Sequence, residues 1–191
     1  MGLVLYALKL SRRCAMKKVL VFYKSKTGFT ERYARWIAEE IGADILPIEK
    51  VNLETIDSYD ILVFGGPLFA SRISALDKVQ KWMEKRPKKT WVIFATGATP
   101  SDDGFVKSIE RINFPPDTQK PARFYYFLSG INFEKMGWFN RTLIKLFARM
   151  SQKNVKTDSG TAPVPPRDLR SVDLCDPIYI EPLLKYLRIK R

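Results

Sequence analysis

Histidine is absent from this chain of 191 residues. That single absence removes several classes of chemistry. A Ser-His-Asp or Cys-His catalytic group cannot be built, nor a zinc site with a histidine ligand, nor a histidine-ligated haem. Any proton transfer falls to Lys, Tyr, a carboxylate, Cys or a bound cofactor. Cysteine is nearly absent as well: Cys14 and Cys175 cannot make a disulfide framework, and their spacing is not a metal pattern, which fits a reducing compartment. No apolar run approaches the roughly 18 residues of a membrane-spanning helix. Neither a Walker A pattern nor G-x-G-x-x-G occurs, which disfavours a nucleoside triphosphate or NAD bound in those ways. Acidic residues are scarce relative to basic ones, 20 against 33, so the formal net charge is +13. No nucleic-acid motif accompanies that charge, and no nucleic-acid partner is expected.

What is present reads as one globular domain. The apolar start, Met1-Gly-Leu-Val-Leu-Tyr-Ala-Leu8, has its charges after it (Lys9, Arg12, Arg13), the reverse of a signal peptide, and position six is not the Ser or Thr of a myristoylation signal. Residues 1–15 read as an N-terminal extension, with a short anchoring segment as the competing reading. Residues 16–191 read as a single domain with a basic helical insertion near 130–170.

Val19–Tyr23, Asp60–Phe64 and Trp91–Ala95 are continuous apolar runs, the pattern of strands buried on both faces. Asp44–Ile48 and Phe124–Leu128 read as two further strands. Between them lie helical patterns. Ala34, Ile37, Ala38 and Ile41 repeat at helix spacing and stop at Gly42. Leu76, Val79 and Met83 follow Ser74, a candidate cap, and Val106, Ile109 and Ile112 follow Asp102 and Asp103. Asp176-Pro177 opens a last helix with Ile180, Leu183, Leu184 and Leu187 on one face. Strands alternating with helices predict an α/β fold with a parallel sheet. In such a sheet ligands bind beyond the carboxyl ends of the strands. Three polar, Gly-containing loops stand there, after Tyr23, Phe64 and Ala95.

The first is Ser25-Lys26-Thr27-Gly28-Phe29-Thr30, joining a strand to a helix start. A phosphate there would meet free amides, the helix dipole and hydroxyl donors. On the residues alone, simple capping of the helix by Ser or Thr explains the loop equally well. Its Ser-x-Thr-Gly-x-Thr pattern resembles the FMN phosphate loop of the flavodoxins. Gly65-Gly66-Pro67-Leu68-Phe69-Ala70 resembles their second, ring-contacting loop in position, and Thr96-Gly97-Ala98-Thr99 their third. The similarity covers residues 17–130. It implies a three-layer sandwich with a five-stranded parallel sheet of order 2-1-3-4-5, and one FMN held without a covalent link. By the same resemblance Ser25, Lys26, Thr27, Gly28, Phe29 and Thr30 lie at the phosphate. Pro67, Leu68, Phe69 and Ala70 flank the isoalloxazine, and Thr96, Gly97 and Ala98 meet its other edge. Many flavodoxins sandwich the ring between two aromatics. Here Phe69 can be one, but residues 96–100 hold none, and Phe105 is the nearest alternative. A ring less enclosed favours a substrate-accepting enzyme over a pure carrier. Arg72, just past the ring loop, can serve the flavin edge or a substrate carboxylate, or simply be solvated.

Lys135, Arg141, Lys145, Arg149, Lys153 and Lys156 form a run of basic residues with no acid among them. Arg141, Lys145 and Arg149 share a helix face, with Phe139, Leu143, Leu146, Phe147 and Met150 opposite and Trp138 at the start. This is the pattern of an interfacial membrane helix, and equally of a helix whose apolar side packs on the sheet. Residues 137–151 resemble the long basic segment of the flavodoxin-type, menaquinone-dependent protoporphyrinogen oxidases. That likeness implies an FMN oxidoreductase passing electrons from a porphyrinogen to a membrane quinone. It would be cytoplasmic and peripheral on the inner face of the membrane, with Arg72, Trp138, Arg141, Lys145 and Arg149 meeting membrane or substrate. A soluble electron carrier with a protein redox partner, and a flavin-free binding module of the same fold, are the alternatives.

Overall fold

A computed structural model describes residues 17–100, 102–131 and 171–190 of the chain. The extension 1–15 and the basic stretch with Trp138, Arg141, Lys145 and Arg149 lie outside the described residues. The described chain runs β1 (Val19–Tyr23), α1 (Phe29–Ile41), β2 (Asp44–Pro47), a 3-10 turn (Ile48–Lys50), α2 (Leu53–Asp57), β3 (Ile61–Phe69), β4 (Arg72–Ile73) and α3 (Leu76–Lys85). It continues with β5 (Thr90–Gly97), α4 (Asp103–Asn113), β6 (Arg123–Leu128) and β7 (Gly130–Ile131). After a gap in the description come β8 (Val172–Asp173), a 3-10 turn (Pro177–Ile180) and α5 (Glu181–Lys190).

The parallel sheet has the order β2-β1-β3-β5-β6. With the two-residue β4 set aside, this is the 2-1-3-4-5 order implied by the resemblance of the three loops. Both faces of the sheet are covered, and alternate residues of each central strand divide between two cores. Val19, Val21, Ile61, Val63, Val92 and Phe94 pack with Ala34, Ile37 and Leu184 on the α1–α5 side. Leu20, Phe22, Leu62, Phe64, Trp91 and Ile93 pack with Val79, Trp82 and Met83 on the other. That two-sided burial is why these runs read as unbroken apolar stretches. Gly42 ends α1 in the left-handed region at φ 56°, its amide reaching the carbonyls of Ala38 and Glu39. Asp102 caps α4 through the amide of Phe105 at 2.7 Å, and Asp176 caps the last turn through the amide of Ile178 at 2.9 Å.

Two expectations need correction. β3 does not close at Gly65: it pairs with β5 as far as Pro67 opposite Thr96, and then turns into β4. The Gly-Gly-Pro signal marks close packing instead, since a Cβ on Gly65 would lie 2.0 Å from the Phe94 ring. Ser74 does not cap α3; the cap position is Ala75 at φ 65°, with no side-chain hydrogen bond. The short helix α2, capped by Asn52, occupies a stretch with no strong periodicity. Around Pro87, Arg86 forks onto the Asp57 carboxylate, and Lys89 donates to the Asp57 and Tyr59 carbonyls.

Tyr33 fastens the C-terminal segment to this frame. Its ring is fully buried, its hydroxyl donates to the Leu128 carbonyl, and the Asp176 amide donates to it at 3.2 Å. Burial holds this phenol in its protonated form well above the ordinary range. Beside it, α5 buries Leu183, Leu184 and Leu187 against α1 and the sheet. Leu184→Ala is therefore expected to destabilise the fold by about 2–5 kcal/mol, read as a lower urea midpoint. An unchanged midpoint would mean that α5 lies outside the cooperative core.

Candidate functional site

The carboxyl ends of β1, β3 and β5 lie side by side, so the three loops singled out in the sequence meet at one edge of the sheet. The contact between the first and third is direct. Thr30 and Thr96, 1% and 2% exposed, share a hydrogen bond of 2.8 Å between their hydroxyls. Two buried hydroxyls facing each other satisfy a need that neither could meet in an apolar core. Thr30 therefore spends its side chain on joining the loops, and only its backbone remains to face a ligand.

The first loop leaves β1 and enters α1 through Gly28 at φ 95°, a conformation that L side chains adopt rarely. The Ser25 hydroxyl accepts the Gly28 amide at 3.1 Å. No side chain caps α1. The amides of the first turn of a 13-residue helix are thus left without the Ser or Thr cap that would have explained the loop without a ligand. A cleft of about 280 Å³ opens there, lined by Thr27, Gly28, Phe29, Arg32, Ser171, Val172 and Asp173. Ser25 and Thr27 are half-buried, Lys26 is exposed, and the Phe29 side chain is buried beneath the loop.

The second loop is a tight hairpin. Phe69 pairs with Arg72 and Leu68 with Ile73, so Ala70 and Ser71 form a two-residue turn with φ values of 47° and 63°. Such a turn needs positive φ at both central positions, which normally selects Asn-Gly or Asp-Gly. With Ala and Ser it carries strain of about 1–2 kcal/mol per residue. Asn113, 3% exposed at the end of α4, holds it in place. Its amide nitrogen donates to the Ser71 carbonyl at 2.7 Å and to the Ile109 carbonyl at 2.8 Å, while its oxygen accepts the Ile73 amide at 2.9 Å. Gln80 donates to the Asn113 carbonyl at 2.9 Å. The hairpin carries Phe69 outward, 44% exposed, with Ala70 and Arg72 also exposed and Pro67 and Leu68 half-buried.

Beneath the third loop, the Tyr126 hydroxyl donates to the Thr99 carbonyl at 2.7 Å. A Cβ on Gly97 would sit 2.6 Å from that hydroxyl, so Gly97 is shaped by Tyr126 as well as by its exposed side. Burial pushes the Tyr126 pKa up to about 12. Phe105 meets the Tyr126 ring edge-on at 5.3 Å and belongs with it beneath the loop. The β3–β5 register sets Thr96 opposite Pro67, and Gly97 and Ala98 follow it in the chain.

The family model of the flavodoxin domain matches residues 20–158. The chain belongs to the flavodoxin domain family. The match runs through all three loops and on across the basic stretch. An uncharacterized protein of Methanocaldococcus jannaschii is 37% identical over 94 residues, 48% of this chain and 59% of the relative. A flavodoxin of Haemophilus influenzae is 42% identical over 55 residues, 27% of this chain and 32% of that protein. The chain thus spans less than two thirds of either relative. Among solved structures, the two-electron reduced flavodoxin of Megasphaera elsdenii is 20% identical with a TM-score of 0.42, covering 56% of this chain and 84% of that one.

Membership of the flavodoxin domain family supports FMN as the cofactor. The first loop fits the phosphate of such a group: an uncapped helix start, a left-handed Gly28, and the Ser25 and Thr27 hydroxyls beside a cleft. Asn113 and Tyr126, which shape the other two loops, escaped the sequence reading. Asn113 did leave a sign, standing four residues after Ile109 on the buried face of α4, where an apolar residue is the rule.

Asn113→Ala removes two hydrogen bonds to a strained turn and a third within α4, and strands the Ile73 amide. The expected loss is about 2–4 kcal/mol of stability, with faster hydrogen exchange at the Ile73 amide. Unchanged exchange there would show that the hairpin is held by something else.

Proposed function

We propose that this flavodoxin-family chain is an FMN-dependent redox protein that works as an oxidoreductase. The observation that carries the reading is the single edge shared by the three loops, with an uncapped helix start at one end and a rigid hairpin at the other. The amides of Phe29 and Thr30, with the Ser25 and Thr27 hydroxyls, hold the phosphate, and Gly28 shapes the turn that presents them. Pro67, Leu68, Phe69 and Ala70 line one side of the flavin ring, and Thr96, Gly97 and Ala98 line its edge. FMN supplies hydride and electron transfer, chemistry that needs no imidazole. The protein's part is to place the ring and limit its contact with water.

The aromatic inventory favours an enzyme. Phe69 is exposed on the hairpin, residues 96–100 hold no aromatic, and Phe105 is engaged with Tyr126. One flavin face is then open to a substrate, and Arg72 stands at the mouth for a carboxylate. The specific reaction we favour is oxidation of a porphyrinogen with a quinone as acceptor. It is supported by the likeness of residues 137–151 to the quinone-linked protoporphyrinogen oxidases and by their basic, amphipathic pattern. Trp138, Arg141, Lys145 and Arg149 would meet the membrane surface or the substrate propionates. Among the described residues no helix is long and apolar enough to cross a membrane; the membrane contact we propose is peripheral. A carrier serving a protein redox partner is the second reading, favoured by the relative named flavodoxin.

The deciding experiment is anaerobic titration of the FMN-loaded protein with protoporphyrinogen and then with a quinone. Bleaching of the flavin absorbance by the first and its return with the second is expected. Bleaching only by a strong chemical reductant would favour the carrier. Thr27→Glu is expected to abolish FMN retention through phosphate repulsion while far-ultraviolet circular dichroism is unchanged. Retention equal to the parent protein would place the phosphate elsewhere.

A further inference from the structure

Arg32 stands in the first turn of α1, its amide bonded to the Gly28 carbonyl at 3.0 Å. Its guanidinium lies 5.7 Å from the centre of the Phe29 ring and donates through Nη1 to the Asp173 carboxylate at 2.6 Å. The two residues are 141 positions apart in the chain. They meet because β8 pairs antiparallel with β7, placing Asp173 opposite Gly130, and because the Leu174 amide donates to the Ser129 carbonyl at 2.6 Å. The approach is close: a Cβ on Gly130 would fall 2.0 Å from the Val172 carbonyl oxygen.

The Asp173 carboxylate is oriented from two sides, since its second oxygen accepts the Cys175 amide at 3.1 Å. Burial alone would raise its pKa. The hydrogen bonds from Arg32 and Cys175 outweigh that, so it sits below the usual carboxylate range and is charged at neutral pH. Arg32 and Asp173 line the same cleft as Thr27, Gly28 and Phe29. The place where the first loop can take a phosphate therefore carries both a cation and a fixed carboxylate. On a dianionic phosphate these act in opposite directions.

A bridge this exposed, with side chains 43% and 47% accessible, adds little to stability, about 0–1 kcal/mol. Arginine has five donors in a planar fork, so one edge can stay on a carboxylate while another reaches a phosphate. We propose that Arg32 is a cationic ligand of the flavin phosphate and that Asp173 opposes it, so that the pair sets how strongly the site prefers a phosphorylated flavin. This rests on the FMN reading given above. A site of amides and hydroxyls recognises the shape of a phosphate; the arginine adds recognition of its charge.

The test compares FMN with riboflavin, which lacks the phosphate, by fluorescence quenching on the full chain. Arg32→Gln is expected to weaken FMN binding by about tenfold and leave riboflavin unchanged, with Arg32→Lys recovering part of the loss. Asp173→Asn, which removes the opposing charge, is expected to tighten FMN by about two- to fivefold without effect on riboflavin. Thermal melts of the variants show whether each folds. An FMN-to-riboflavin ratio unchanged in both Arg32→Gln and Asp173→Asn would overturn the proposal and leave the pair as a strut between β8 and α1. Equal weakening of both flavins would overturn it too. If the parent protein binds neither flavin, the FMN reading itself fails and takes this one with it.

Discussion

Parallel pairing of β1, β3 and β5, with both faces of each strand buried, governs the rest of the molecule. Parallel neighbours cannot be joined by a hairpin, so every connection must cross over, and here the crossovers pass through helices on the two faces. All three strands end on the same side, and their carboxyl-end loops are forced together. The register carries this to the level of single residues: Tyr23 lies opposite Gly65, and Pro67 opposite Thr96. The buried Thr30–Thr96 hydrogen bond follows from it, because only strands ending in step bring the first helix turn of one loop onto the start of another. The site is a consequence of the ladder before any of its side chains is considered.

Within that frame the loops differ in how they are kept rigid. The first uses a left-handed Gly28 whose amide is held by the Ser25 hydroxyl, and the buried Thr30–Thr96 hydrogen bond. The second uses stored strain, two non-glycine residues at positive φ clamped by a buried Asn113. The third rests on the Tyr126 phenol, which donates to the Thr99 carbonyl. Strained turns persist only where the surroundings over-determine them, and they gather at sites that must hold a ligand in one geometry. Asn113 meets that condition, because it bonds to both sides of the turn, the Ser71 carbonyl and the Ile73 amide.

Much of this was legible in the residues. Continuous apolar strands, helix spacing, Gly42, Asp102 and Asp176 led to the parallel sheet and to most of the helices, because each is a local preference that the fold reinforces; the strand order came from the resemblance of the three loops. The misses have a common cause. The Ala70-Ser71 turn lacks Gly, Asn and Asp, so local turn chemistry argues against it; a contact with Asn113 more than 40 positions away overrides that preference. Gly65 looked like the end of a strand, but its missing Cβ makes room for Phe94 on a neighbouring strand. Arg32 carries no local signal, and its partner lies 141 positions further on. Local pattern carries what neighbours in sequence decide, and it is silent where tertiary contact decides.

The net charge of +13 gains a sharper meaning at the phosphate cleft. Long-range attraction for a flavin phosphate would be spread over the whole surface and screened within about a Debye length, ~8 Å at physiological salt. It would also favour every other anion in the cell. Discrimination has to come from charges at contact distance, where direction matters. A single arginine held by a carboxylate provides this: the carboxylate repels indiscriminate anions, and a ligand is admitted only if it also satisfies the amides at the start of α1. A strongly basic chain can in this way keep a selective anion site, because selectivity depends on what stands within hydrogen-bond reach rather than on the total charge.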